Sequence, residues 1–111
     1  MPTKNSVKPT NDVENKVLAF CNKVRLKLGR HKRDTLVKGK TNEARLCIIS
    51  ATIGLKGKYS IATCDRYSRW WLTDEKGYEE NSSYCYFEDD DIGKFIGDFD
   101  RNKLPHLVKT V

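Results

Sequence analysis

The chain is poor in the residues on which small metal sites and hydrolytic enzymes are built. It has two histidines, three prolines and one methionine in 111 residues, and no two of its four cysteines form a CxxC pair. Cys21, Cys47, Cys64 and Cys85 stand 26, 17 and 21 residues apart, which excludes a zinc knuckle and a thioredoxin-like redox motif. His31 and His106 could join a cysteine at a metal, but such sites usually take two ligands from one tight turn. Each cysteine lies instead in an apolar-periodic segment, where a thiol acts as a small hydrophobe. Four buried, reduced thiols are expected, with no metal and no cofactor. Long apolar runs are also missing. Short runs such as Leu46 to Ile49 are far from the ~18 residues of a membrane span. The first ten residues hold two lysines and no apolar stretch, so no secretory signal is expected. GxGxxG, P-loop, HExxH and GxSxG patterns are absent. These absences point to a single cytoplasmic, non-enzymatic domain with no membrane partner.

Charge is present in quantity and is unevenly placed. The net is +6, yet residues 1–40 carry eleven Lys/Arg against three acids, a net of +8, and residues 74–100 carry ten acids against two lysines, a net of −8. A basic half attracts polyanions. The acidic half can repel them, pair with the basic half, or meet a basic partner.

Residues 1–10 read as a flexible arm and 11–111 as one domain. Asn11 and Glu14 have capping-box spacing. Val13, Val17, Phe20, Cys21, Val24 and Leu28 follow one face of a 3.6-residue period, and Gly29 supplies a left-handed stop. These features predict a helix over 11–28. Arg30–Lys40 reads as a basic loop. The β-branched run 44–53, the Gly54–Gly57 turn and 58–64 read as a hairpin. Strands are expected at 68–73 and 83–87, separated by a turn at 74–77. Ile92, Phe95, Ile96 and Phe99 predict a helix over 90–99, and 104–108 closes as an extended tail. The fold class is α+β: an N-terminal helix, a small antiparallel sheet of three or four strands, and a short C-terminal helix.

Two surfaces are candidates for binding. Lys23, Lys27, Arg30, Lys32, Arg33, Lys38 and Lys40 form a basic set. Phosphate contacts need mobile cations on one face rather than fixed stereochemistry, so this set suits nucleic acid. In this reading Arg30, Lys32 and Arg33 are all dispensable for folding. The bland alternative is a lysine-rich solubility surface. The second candidate is aromatic. Tyr67, Trp70, Trp71, Tyr78, Tyr84, Tyr86 and Phe87 cluster in the chain, and Trp70 and Trp71 point to opposite faces of a strand. One tryptophan is then core, and the other, flanked by Arg66 and Arg69, stacks a base or anchors a protein partner. An effector that docks on a host protein through residues 74–91 and this tryptophan is the rival reading. A nuclease using a neutral His31 among cations is a third. The Asp89–Asp91 run suits a helix N-terminus better than Mg²⁺.

KGKTNEARLCII, from Lys38 past Cys47, and FIGDFDRNKLPHLV, from Phe95 to Val108 with the pattern FxxxFDxxxxPxLV, resemble small uncharacterised proteins of actinobacteria and their phages. The chain departs from that group at Ile48, where the group tends to have proline. The resemblance covers about a quarter of the chain and implies no activity. It implies an accessory protein of a phage or mobile element, expected as a monomer or weak homodimer.

Overall fold

The helix expected over 11–28 is α1, Asp12–Lys27, in a computed structural model that describes residues 5–55, 59–73 and 79–109. Asn11 is its N-cap, with extended backbone, and its Oδ1 accepts from the Glu14 N–H at 2.9 Å. Glu14 returns the bond to the Thr10 N–H at 3.1 Å, one residue earlier than a standard capping box. Asp12 and Glu14 in the first turn and Arg25 and Lys27 in the last complement the helix dipole. The stripe Val17, Phe20, Cys21 and Val24 is buried.

The structure corrects the expectation for 44–53. Ile48–Ile53 is a short helix, α2, so the hairpin's first strand does not exist. Propensity favoured a strand here, but burial on every side overrides it: Ile48, Ile49, Ser50, Thr52 and Ile53 are all inaccessible. Backbone groups from elsewhere in the chain meet the hydroxyls of this helix. The Ser50 hydroxyl donates to the Ala44 carbonyl at 2.7 Å, and Thr52 Oγ1 accepts from the Val37 N–H at 2.8 Å. Gly54, read as a hairpin turn, is instead the C-cap, at φ 61° and ψ 49°, a left-handed conformation that favours glycine.

Two short strands were not anticipated. β1 (Ser6–Val7) pairs antiparallel with β2 (Leu36–Val37), so part of the stretch read as an arm is tied to the stretch read as a loop. The main sheet is β3 (Tyr59–Thr63), β4 (Tyr67–Thr73) and β5 (Glu79–Tyr86), antiparallel in that order. Its register sets Ile61 beside Trp70, Ser68 beside Cys85, and Arg69 beside Tyr84, with a bulge between Trp70 and Leu72. Alternation sends Ile61, Trp70 and Cys85 into the core that the helices share. The hydroxyls of Ser50, Thr63 and Ser68 form a buried chain at 2.8 and 2.9 Å.

α3 (Asp90–Asp100) follows with Ile92, Phe95, Ile96 and Phe99 buried. Residues 104–108 are not simply extended. Pro105–Leu107 makes one 3₁₀ turn that buries Leu107, and Val108 then bridges Gly39 in parallel. A Cβ on Gly39 would lie 2.4 Å from the Cys47 carbonyl carbon, so only glycine fits this crossing. The proposed turns at 56–57 and 74–77 lie outside the described residues. No helix among the described residues is long and apolar enough to cross a membrane.

Candidate nucleic-acid interface

The seven basic residues singled out in the sequence do not form one surface. Arg33 is half-buried and turned toward α2: its Nε donates to the Thr52 carbonyl at 2.7 Å, and its backbone pairs with the Asn22 amide at 2.8 and 3.0 Å. Arg25 acts beside it, with Nη1 on the Ile53 carbonyl and Nε on the His31 carbonyl, both at 2.6 Å. Two guanidiniums therefore satisfy carbonyls that α2 leaves unpaired at its C-terminus. Burial, with Arg33 and Arg30 nearby, holds Arg25 below the usual guanidinium range. Arg33 is thus tied into the fold rather than left as an outward-facing cation. Arg25 was missed, because no local signal announces a partner on a distant helix.

Lys38 and Lys40 flank Gly39 and line a separate small cavity of about 150 Å³ with Lys109. Lys23, Lys27 and Lys32 do meet. They line a shallow concavity of about 630 Å³ along α1, together with Asn22 and the exposed Leu26. Arg30 follows at the helix end, its N–H on the Arg25 carbonyl at 2.8 Å.

Part of the basic flank of α1 is covered by acidic residues of the same chain. Lys16 Nζ contacts Asp89 at 2.7 Å and Asp91 at 3.1 Å, and Lys23 pairs with Glu88. The hydrogen bonds to Asp89 and then Asp91 raise the Lys16 pKa, and the bond to Glu88 raises that of Lys23; the Glu88 and Asp89 carboxyls fall in return. All these groups are solvent-exposed, so salt screens them strongly. Lys27 and Lys32 have no ion-pair partner among the described residues. Asp89 is also the N-cap of α3, accepting from the Asp91 N–H at 2.9 Å. The described residues contain no cluster of three metal-ligating side chains.

The expected division of the tryptophans into core and surface is corrected. Trp70 is 5% exposed and Trp71 4%. They do face opposite ways, but the guanidiniums of Arg69 and Arg45 lie over the Trp71 ring, at 4.4 and 5.4 Å from its centroid. What the outer face exposes is tyrosine: Tyr84 is 50% and Tyr86 64% accessible. Period-two alternation in SYCYF places both on one side, which was the signal available in the sequence. Arg66 is exposed at the turn before β4. Tyr78 lies outside the described residues. The His31 ring has no hydrogen-bond partner among the described residues, so nothing there orients it as a base. No protein-family model, curated protein or solved structure matches the chain.

Proposed function

We propose that the protein is a non-enzymatic nucleic-acid-binding protein that grips phosphates along the C-terminal half of α1. The observation that carries this reading is the concavity in which Lys23, Lys27 and Lys32 converge, with Arg30 beside it. The nine residues 25–33 hold five cations and no acid. Arg25 and Arg33 are committed to α2, and the remaining three are left to act outward. The site is shallow and open, and its Lys27 and Lys32 have no ion-pair partner among the described residues, which suits contact with a phosphate backbone rather than readout of bases. The same reading places the protein in the cytoplasm as an accessory of a phage or mobile element, supported by the resemblance at 38–48 and 95–108.

The experiment is duplex binding measured across a salt series. About three phosphate contacts give a slope near −3 in log affinity against log salt, at roughly 0.9 per contact. Lys27→Glu with Lys32→Glu should abolish binding and leave the melting temperature unchanged. Arg33→Gln should do the reverse, lowering the melting temperature while a folded fraction still binds. Unchanged affinity in the double lysine variant refutes the proposal.

A further inference from the structure

We infer that the acidic turn at 88–91 is a built-in competitor for phosphate: its carboxylates hold ammonium groups of α1 that a nucleic-acid backbone takes when it displaces them. The inference rests on the phosphate-binding reading above, and adds Lys16 and Lys23 to that site as positions closed in the free protein.

Lys16, Lys23 and Lys27 form one row on α1. At 3.6 residues per turn, steps of seven and four set Lys23 and Lys27 within about 20° of Lys16 around the axis and spread the row over about 16 Å. The row is not uniform. Lys16 holds Asp89 at 2.7 Å and Asp91 at 3.1 Å, and Lys23 holds Glu88. Lys27 has no ion-pair partner among the described residues. Two concavities run beside the row. One, of about 350 Å³, is lined by Lys16, Phe20, Lys23, Glu88 and Asp89; the other is the one where Lys23, Lys27 and Lys32 converge. Ala19 and Lys23 line both, so the carboxylate-filled half and the open half are continuous.

The pairs are placed to open without loss of the fold. The apolar face of α3 (Ile92, Phe95, Ile96 and Phe99) is buried in the shared core, while the Glu88 side chain is 73% exposed and its Lys23 partner is also in solvent. Exposed pairs of this kind stabilise little, so an anion that offers better contacts can replace them. A phosphate oxygen and a carboxylate oxygen are the same kind of acceptor for an ammonium, and the long lysine stem reorients without moving the backbone. The hydrogen bond and charge of Lys23, with the charge of Lys27 beyond it, hold the Glu88 carboxyl below its ordinary range. Glu88 therefore acts on the first cation of the open half as well as on its own partner.

The test is fluorescence anisotropy of a labelled duplex across a salt series, with Glu88→Gln as the variant. Glu43→Gln is its control, an equal change of charge at an exposed loop position that lines neither concavity. Glu88→Gln frees Lys23 and should bind more tightly than wild type, with a log–log slope steeper by about 0.9, so that its advantage shrinks about threefold between 50 and 200 mM salt. Asp91→Asn leaves the Asp89 cap in place and should act in the same direction but more weakly, because Asp89 still holds Lys16. Both variants should melt like wild type, and Glu43→Gln should bind like it. Wild-type affinity and slope in Glu88→Gln, or a gain that Glu43→Gln matches, overturns the inference and leaves the phosphate-binding reading standing. Binding by Glu88→Gln alone upholds the competitor and refutes the claim that the open cations suffice in the free chain. Absence of binding in wild type and Glu88→Gln alike overturns both.

Discussion

Replacing Glu14 tests whether the N-terminus of α1 is held by one buried carboxylate. Glu14 is 1% exposed and accepts from the Thr10 N–H at 3.1 Å, the Thr10 hydroxyl at 3.2 Å and Asn11 Nδ2 at 3.1 Å. His106 Nε2 lies 3.1 Å from its Oε2, which links α1 to the C-terminal 3₁₀ turn. Thr10, Asn11 and His106 are exposed, so water can take over their bonds when the carboxylate is removed. The loss is then the net value of the bonds, about 0.5–1.5 kcal/mol each, rather than the full cost of stranded donors. Glu14→Ala should destabilise by about 2–3 kcal/mol and lower the melting temperature by about 8–12 °C. Urea unfolding should show a lower midpoint at constant slope. Burial pushes the carboxyl pKa up, and the hydrogen bonds from His106 and Thr10 more than offset it, so the pKa lies below the ordinary value. A depressed folded-state pKa contributes stability above the unfolded value, about 4.3, and that contribution is lost as pH falls through the folded value. The advantage of wild type over Glu14→Gln should therefore shrink in strong acid. A loss under about 0.5 kcal/mol in Glu14→Ala, or a gap to Glu14→Gln that does not change with pH, refutes this account.

Phe95→Ala should cost about 3–5 kcal/mol by urea unfolding, because the ring is buried among the helices and a short α3 depends on packing. Gly39→Ala should cost more than about 2 kcal/mol, since its methyl would meet the backbone of Cys47 and Ile48; a variant that melts like wild type would show that this crossing yields easily. Under native labelling Cys64, half-buried, should react first. Cys21 and Cys47, whose thiol pKa values burial pushes up, should wait for unfolding.

The elements readable in the sequence are those whose reasons are local. The α1 period, its Asn11 cap and its Gly29 stop all lie within one stretch, and so do the acids and apolar face of α3. The run 44–53 misleads because its state is decided from outside, by Arg25, Arg33, Val37 and Thr63, and six residues are too few to display a helical period. The tryptophans divide in the same way. Their opposite facing follows from adjacency, but the burial of Trp71 depends on Arg45, a residue in no strand. Of the basic set, the convergence of Lys23, Lys27 and Lys32 follows from helix spacing and a short return of the chain. The turning of Arg33 toward α2 and the pairing of Lys23 with Glu88 are long-range and leave no trace in local pattern.

The stretch 36–40 has a consequence for exchange of backbone amides with solvent. The Lys38 N–H bonds the Asn5 carbonyl at 2.7 Å, the Gly39 N–H bonds the Leu107 carbonyl at 3.1 Å, and the Lys109 N–H bonds the Gly39 carbonyl at 2.8 Å. Residues near both ends of the described chain are thus fastened to one five-residue span. Peripheral segments ordinarily open singly and at little free-energy cost. Here, lifting 36–40 releases both at once, so the amides of Lys38, Gly39 and Lys109 should exchange as one cooperative group with a common opening free energy and a common response to denaturant.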